Sequence, residues 1–280
     1  MSESAFRGGD FIADPEKCIG CGKCAKDCPT AIITIEGDLA KVPPEDMADC
    51  LGCQHCLAIC PTAAASVAGR NPVDSVPVGG CDPTSLDLLV RSRRSIRQFA
   101  PGSVEQKLLD RVLAGAAHAP TGVNARYRRF TVIRDPRTMS EYRDRCCRAL
   151  TANADKLPED LQWLASAAGK WLDKGRDVIF RNAPHLIVVT SGPWASTPDA
   201  DAVIALSYFE LLAQANGIAT VWCGMAEMML KALPETGKWL GIPEDHSIGY
   251  AMLFGPAGIK YERTAQYAPE NMAYVDRLAE

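Results

Sequence analysis

The sequence lacks several features that would identify whole classes of protein. No apolar stretch approaches the roughly 20 residues that cross a bilayer, so we expect no contact with a membrane. The N-terminal residues lack a basic segment followed by an apolar run, so we expect no secretion signal and a cytoplasmic location. The net charge is only −4, so the overall charge does not favour a nucleic-acid partner.

A glycine-rich nucleotide loop and low-complexity tracts are also missing. Because no G-x-G-x-x-G segment follows a predicted strand, a Rossmann site for NAD(P)H has no support. The composition is that of a globular protein, with 47% apolar and 23% charged residues. The length of 280 residues allows one large or two ordinary domains.

Cysteine is the residue type that organises the chain. Eight of the 12 cysteines fall in two runs, Cys18-Ile-Gly-Cys21-Gly-Lys-Cys24-Ala-Lys-Asp-Cys28-Pro29 and Cys50-Leu-Gly-Cys53-Gln-His-Cys56-Leu-Ala-Ile-Cys60-Pro61. Both runs have the spacing C-x2-C-x2-C-x3-C-P, which is the ligand pattern of a two-cluster bacterial ferredoxin. Thiolate sulfur is the soft anionic ligand that cluster iron requires.

In this pattern the fourth cysteine of each run binds the cluster of the other run. We therefore predict two [4Fe–4S] clusters, one bound by Cys18, Cys21, Cys24 and Cys60, and the other by Cys50, Cys53, Cys56 and Cys28. Structural zinc usually takes two separated pairs of ligands, and disulfides fit poorly with a long chain that lacks a secretion signal. The repeat predicts a small ferredoxin-like domain over residues 10–70, held together by its clusters because it buries little core.

A second domain is predicted to follow a linker. Residues 71–84 are rich in proline and glycine, which favours a linker, and residues 85–280 alternate helical and strand patterns typical of an α+β domain. Ser103-Val-Glu-Gln106 has the form of a capping box for the first long helix. Helices are predicted over about 108–116, 139–149, 161–172 and 199–216, and strands over about 130–133, 185–190, 219–223 and 248–254.

The arginine-rich segment 91–99 suggests a binding site for phosphate. From Arg91 to Arg97 it places four arginines and two serines in seven residues. Guanidinium groups and hydroxyls together suit a phosphate monoester. A solvated basic patch and a nucleic-acid contact are the alternatives, and the low net charge argues against the second.

Five segments, in order along the chain, resemble the FMN-dependent nitroreductase family. They are Arg93-Arg-Ser-Ile-Arg-Gln-Phe99, Ala119-Pro-Thr-Gly-Val-Asn124, Ala183-Pro-His-Leu-Ile-Val-Val189, Asn216-Gly-Ile-Ala-Thr-Val-Trp-Cys-Gly224, and Leu253-Phe-Gly-Pro256 through Lys260-Tyr-Glu-Arg263. The resemblance covers residues 85–265. It implies a three-layer α/β/α domain and an obligate homodimer with FMN at the subunit interface.

The resemblance also implies which residues hold the phosphate end of FMN. Arg93 and Ser95 would bind the phosphate, with Lys260 and Arg263 closing on it. Arg94 would lie along the ribityl chain.

The flavin ring would be held by a second group of residues. Arg97 would lie near N1 and O2, where a fixed cation stabilises the anionic reduced ring. Gly224 would let the backbone approach N5 and O4, because glycine has no side chain. Pro120, Thr121 and Asn124 would face the ring from the second subunit.

Two departures from the family pattern stand out. Arg126-Tyr127-Arg128 replaces a common Gln-Pro-Trp, which puts positive charge near the ring, where Arg126 would contact the cofactor. These arginines would either favour an anionic substrate or support phosphate and surface contacts. Tyr267 stands where a second arginine is common, which leaves its role open.

We predict an iron–sulfur flavoprotein reductase. Electrons from an external donor, either ferredoxin or NAD(P)H, would pass through the clusters to FMN and on to a small electron-poor acceptor, such as a nitroaromatic, a quinone or an unsaturated compound. A reductive dehalogenase or another specialised flavin enzyme of the family is one alternative. A protein that only transfers electrons or senses redox state is the other.

The remaining cysteine and histidine residues are assigned mainly to structure. Cys146 and Cys147 fall on a helical pattern and are expected in the core. Cys223 lies next to the predicted flavin contact, where it would either tune the ring or pack as an ordinary thiol. His55 and His118 are expected at the surface and in a structural role, respectively.

Overall fold

Two units follow each other along the chain in the computed structural model, which describes residues 9–267 and 272–278. The N-terminal unit contains four short strands and two short helices, and the C-terminal unit contains four strands and seven α-helices within the described residues. Among the described residues of both units, no helix has the length and apolar character to cross a membrane.

Two antiparallel strand pairs frame the cysteine runs in the N-terminal unit. The pairs are β1 (Phe11–Ala13) with β4 (Ala65–Val67), and β2 (Thr34–Glu36) with β3 (Leu39–Lys41). The helices are α1 (Lys23–Asp27) and α2 (His55–Ile59). Each helix contains the third cysteine of its run and ends one residue before the fourth. Half-buried cysteines pack around a small core that includes Phe11, Ile32, Leu57 and Val67.

A four-stranded antiparallel sheet in the order β5–β6–β8–β7 forms the centre of the C-terminal unit. Its strands are β5 (Arg128–Ile133), β6 (His185–Ser191), β7 (Ile218–Trp222) and β8 (Ser247–Pro256). Leu186 and Val188 pack on one face of the sheet, and Ile187 and Val189 pack on the other. Because both faces are covered, the alternating side chains of β6 are all apolar at these positions.

Helices cover both faces of this sheet and complete three layers. Leu150, Leu164 and Met229 are buried on one face, and Leu109 and Phe209 are buried on the other. The expected α/β/α architecture is confirmed. The helices are α3 (Pro83–Ser92), α4 (Gln106–Ala116), α5 (Pro136–Ala152), α6 (Trp163–Lys174), α7 (Pro198–Ala215), α8 (Gly224–Ala232) and α9 (Pro234–Lys238).

All the helices and strands predicted for the C-terminal unit are present, with ends shifted by at most three residues. The long helix α7 ends, as expected, before Gly217, which has a φ of 73°. Helices α3, α8 and α9 were not predicted. The segment predicted as a linker contains a 3-10 turn at Pro72–Asp74. Helix α3 begins inside this segment, because the Asp82 carboxylate accepts hydrogen bonds from two N–H groups of the first turn.

The predicted capping box at Ser103 is wrong. Helix α4 begins after Glu105, whose side chain forms no capping hydrogen bond. The Ser103 hydroxyl instead lies 3.2 Å from the carbonyl oxygen of Val104 and 3.3 Å from His185 Nε2. His185 Nε2 also accepts the N–H of Val104 at 3.0 Å, so a tertiary contact replaces the local cap.

A buried ion pair links α5 to the segment before β6. Arg143 Nε lies 2.8 Å from Asp177 Oδ2, and the Asp177 carboxylate also accepts the backbone N–H groups of Phe180 and Asn182 at 2.7 and 2.8 Å. Removing this carboxylate would leave a buried cation and two backbone donors unpaired. We therefore expect Asp177→Ala to lower the free energy of unfolding by about 3–5 kcal/mol, measured by urea denaturation.

The control for this prediction is an exposed ion pair in α3. Arg91 Nε lies 2.7 Å from Asp87 Oδ2, and both side chains are more than half exposed. Asp87→Ala should cost less than about 1 kcal/mol, because exposed pairs are weak in water. Equal losses in the two variants would contradict a structural role for the buried pair.

Candidate functional site

Two cavities in the N-terminal unit are each lined by four cysteines. One is lined by Cys18, Cys21, Cys24 and Cys60, and the other by Cys28, Cys50, Cys53 and Cys56. The fourth cysteine of each run therefore lies at the cavity of the other run. Four thiols around one cavity are the donor set that a [4Fe–4S] cluster requires, so the residues present fit two clusters.

Hydrogen-bond donors surround several of the sulfur atoms. The N–H of Ala64 donates to Cys60 Sγ at 3.2 Å, and the Thr30 hydroxyl lies 3.6 Å from Cys28 Sγ. Burial alone would raise the pKa of the Cys28 and Cys60 thiols, but the hydroxyl and backbone donors outweigh it and lower the pKa of both. The surroundings of these sulfurs therefore favour the thiolate form, which is the form that binds metal.

The second cysteine cavity lies next to the C-terminal unit. Asn124 Nδ2 donates a hydrogen bond to the carbonyl oxygen of Leu51 at 2.9 Å. A cleft of ≈ 1600 Å³ separates the two units around this contact, and its lining includes Gly52, Cys53, His55, His118, Pro120, Asn124 and Arg126. The predicted ring-facing residues Pro120 and Asn124 are thus brought to the same cleft as a predicted cluster ligand. His55 Nδ1 lies 3.2 Å from Asp27 Oδ2 on the exposed surface.

The segment 120–126, which we call the strained loop, has an unusual backbone. Val123, Asn124 and Arg126 have φ values of 47°, 53° and 54°. The left-handed region is uncommon for residues other than glycine, and for a β-branched valine it is an outlier. Such strain persists only where the surrounding structure enforces it, and it is concentrated at functional sites.

Asp201 anchors the strained loop at Gly122, and sequence patterns did not indicate it. Its carboxylate is 1% exposed and accepts the N–H of Gly122 at 3.0 Å and the Thr197 hydroxyl at 2.8 Å. A Cβ at position 122 would lie 2.3 Å from Ser196 Oγ and 2.4 Å from Thr197 Oγ1, so a larger residue would displace both hydroxyls. Thr121 Oγ1 accepts the N–H of Arg126 at 3.0 Å, which gives Thr121 a structural role.

Arg128 lies directly behind the strained loop. Its Nη2 donates to the carbonyl oxygen of Ala117 at 2.5 Å, and Arg126 Nη2 donates to the same oxygen at 3.1 Å. Nε and Nη1 of Arg128 are buried without a partner among the described residues. Burial, followed by the charge of Arg126, lowers the pKa of Arg128. The two arginines predicted to bring positive charge here therefore differ: Arg128 packs behind the loop, whereas Arg126 is exposed.

A second binding surface, the edge groove, follows the edge strand β7. This groove of ≈ 660 Å³ is lined by residues that include Ser92, Ile96, Ala219, Lys260 and Arg263. The N–H of Ile96 donates to the carbonyl oxygen of Thr220 at 2.9 Å, which fixes the arginine-rich segment along the edge. Two cations, a hydroxyl and an apolar wall fit a ligand with a phosphate at one end.

The structure does not bring all the predicted phosphate ligands into the edge groove. Lys260 and Arg263 line it, whereas Arg93 and Ser95 do not. Arg93 Nη1 instead lies 3.1 Å from Glu210 Oε1, because the buried Glu210 carboxylate needs a cation.

Other members of the arginine segment bond to their own backbone. Arg94 donates to the carbonyl oxygens of Arg93 and Arg91 at 2.6 and 2.9 Å, and its guanidinium lies 5.9 Å from the ring centroid of Tyr267. Arg97 is exposed, and its Nη1 donates to the carbonyl oxygen of Ser95 at 3.3 Å. The cofactor contacts of these residues stay predictions.

Gly224 is the first residue of α8 and is separated from the end of β7 by Cys223. A Cβ at this position would lie 3.1 Å from Tyr250 Oη, so backbone and phenol are close neighbours. Burial and the charge of Glu227 raise the pKa of Tyr250, which therefore keeps its proton at neutral pH. Tyr250 had no sequence signal, because it lies within an apolar strand pattern.

The strained loop and the edge groove are far apart within one chain. Ser247, the first residue of β8, is in register with Ser191, which is in register with Arg128 next to the strained loop. Pro256, at the other end of β8, pairs with Ile218 at the edge groove. The two places therefore differ by about 30 Å along the strands and about 14 Å across the sheet.

The nitroreductase family model matches residues 90–256, which is more than half of the chain. The chain belongs to the nitroreductase family. The model of the 4Fe-4S dicluster domain matches residues 12–67. The chain is therefore a nitroreductase-family protein with an N-terminal dicluster domain, which makes it an oxidoreductase by family.

Solved nitroreductases share the fold of the C-terminal unit. A nitroreductase with bound FMN from Desulfitobacterium hafniense DCB-2 is 26% identical, covers 68% of this chain and 98% of its own, and has a TM-score of 0.54. One with bound FMN from Bacteroides fragilis is 19% identical, with coverages of 68% and 98% and a TM-score of 0.57. The NfnB structure from Mycobacterium smegmatis in complex with NADPH is 19% identical, with coverages of 70% and 100% and a TM-score of 0.50. No curated protein matches the chain.

The cysteines outside the two runs differ sharply in accessibility. Cys146, Cys147 and Cys223 are buried, as expected for the first two, and Cys81 is exposed. Burial raises the pKa of Cys223 to about 11, so it stays a thiol at neutral pH.

We expect iodoacetamide at pH 7.5 to label Cys81 and to leave the three buried thiols unlabelled, as measured by peptide mass spectrometry. Labelling of Cys223 as fast as Cys81 would contradict this assignment.

Proposed function

We propose that the protein is an iron–sulfur flavoprotein reductase. Electrons from an external donor would pass through two [4Fe–4S] clusters to FMN and on to a small electron-poor acceptor such as a nitroaromatic, a quinone or an unsaturated compound. One observation supports this most: the second cysteine cavity contacts the strained loop of the nitroreductase domain through the 2.9 Å hydrogen bond from Asn124 to Leu51. That contact joins the two proposed redox sites.

The proposed cofactor ligands lie at the two cysteine cavities and at the edge groove. The cluster ligands are the cysteines of each cavity. Lys260 and Arg263 in the edge groove would bind the FMN phosphate, and Gly224 and Arg97 would approach the ring. The D. hafniense structure, 26% identical, has FMN bound, which supports the same cofactor here.

We also propose a homodimer. Helix α7 exposes Val203 and Tyr208 at 42% and 43%, and α3 exposes Leu88 and Val90 at 57% and 52%. These apolar side chains on neighbouring helices favour a protein partner. The partner is assigned as a second copy, because the strained loop of one copy and the edge groove of the other can then enclose one FMN.

The residues around the proposed FMN would prepare it for electron transfer. FMN, when bound, accepts electrons singly and delivers two of them to an organic acceptor. The Arg97 guanidinium would stabilise negative charge on the reduced ring, and the protonated Tyr250 phenol beside Gly224 could donate a hydrogen bond. A reducing compartment, the cytoplasm, suits the free thiols that the clusters need.

The decisive experiment is anaerobic reduction of the purified protein. We expect about two FMN and four clusters per dimer, and flavin bleaching at 450 nm that is fast with a reduced ferredoxin. NADH and NADPH are compared in the same assay, followed by nitroaromatic, quinone and enone acceptors. Absence of FMN from protein produced with sufficient riboflavin would contradict the proposal.

The matched control lacks two ligands of the second cavity. Cys53→Ala with Cys56→Ala should retain FMN but lose at least nine-tenths of the rate of flavin reduction by ferredoxin. Reduction by NADPH at the same rapid rate in this variant and in the wild type would show that the clusters are not the route into the flavin.

A further inference from the structure

The dicluster domain is attached to only one of the two surfaces that the flavin needs. Asn124 of the strained loop donates to Leu51, which lies between two cysteines of the second cavity. The edge groove is lined by α3, β7 and the segment after β8, and its lining includes no residue of the dicluster domain. Within one chain, the clusters are therefore next to the strained loop and not next to the edge groove.

Helix α7 gives an independent measure of this separation. The strained loop is bonded to Asp201 in its first turn, and the edge groove is lined by Gln214 near its last residue. The helix has 18 residues. At 1.5 Å per residue, the 13 residues from Asp201 to Gln214 span about 20 Å. This agrees with the sheet register in keeping the two surfaces of one chain apart.

We propose that the clusters of one subunit reduce the FMN held in the edge groove of the other subunit. The inference rests on the proposed function and on the homodimer. In that dimer, the strained loop of one copy covers the flavin bound by its partner, and the dicluster domain accompanies the loop. Electron transfer therefore crosses the subunit boundary.

The cluster of the second cavity is the one that faces the flavin. Cys53 lines the cleft at the strained loop, whereas no cysteine of the first cavity does. Cys21 of the first cavity is exposed, which places that cavity toward an external donor.

The electron count is simple. Each reduced cluster would give up one electron, and the two electrons with one proton from solvent would convert bound oxidised FMN to its anionic reduced form. An external ferredoxin restores both clusters by giving one electron to each.

Two heterodimers with the same cofactor content test this inference. Both combine a cluster-site change, Cys53→Ala with Cys56→Ala, and a groove change, Lys260→Ala with Arg263→Ala. In the split heterodimer, one chain has the cluster-site change and the other has the groove change. In the joined heterodimer, one chain has both changes and its partner is unchanged. Two affinity tags allow each to be purified.

Both heterodimers should contain one FMN per dimer. If the chain with the groove change still binds FMN, Ser92→Trp is used in place of the groove change, because its side chain would fill the edge groove. We expect reduced ferredoxin to bleach the flavin at least ten times faster in the split heterodimer, where the intact clusters accompany the loop that covers the only flavin. The joined heterodimer should be slow, because its flavin is covered by the loop of the chain with altered clusters.

A second measurement does not depend on turnover. The EPR signal of the flavin radical should saturate at a higher microwave power in the split heterodimer, because a nearby reduced cluster speeds its relaxation. Faster bleaching in the joined heterodimer, or equal rates in the two, would overturn transfer between subunits. Such a result would leave the proposed function intact, whereas wild-type protein without FMN would remove that function as well.

Discussion

The hydrogen-bonded register of the four-stranded sheet is the constraint on which the rest of the molecule depends. It holds the strained loop and the edge groove at opposite edges and opposite ends, about 30 Å apart along the strands. Under the proposed function both surfaces would contact a flavin, and their separation within one chain favours a second copy. In the proposed homodimer, a second copy would bring its strained loop to the groove and would also cover the apolar residues that α3 and α7 expose.

The dicluster domain depends on a different kind of cohesion. Its core is small, and the half-buried cysteines form part of the packing around Phe11, Leu57 and Val67. Iron bound to those thiolates would connect the two halves of the domain, since each cavity takes one cysteine from the other half. Its contact with the strained loop would therefore join a cluster-stabilised unit to a loop that Asp201 anchors at Gly122.

Much of the fold was predictable, because its signals are local. The cysteine spacing predicted which four thiols would share each cavity, and the apolar runs predicted all four strands of the sheet. Gly217 marked the end of α7 correctly. The capping box at Ser103 failed because the Ser103 hydroxyl instead contacts His185 Nε2, 82 positions away in the chain, which also accepts the N–H of Val104.

The sequence by itself determined the identity of the thiols and the positions of the strands, because both depend on spacing between near neighbours. It also determined the family of the C-terminal unit, through five short segments in order along the chain. Only the tertiary structure decided that Arg93 bonds to Glu210, 117 positions away. It alone revealed that Asp201 holds the strained loop, and that the second cysteine cavity, rather than the first, faces this loop. Those arrangements depend on contacts between distant segments, which no local pattern records.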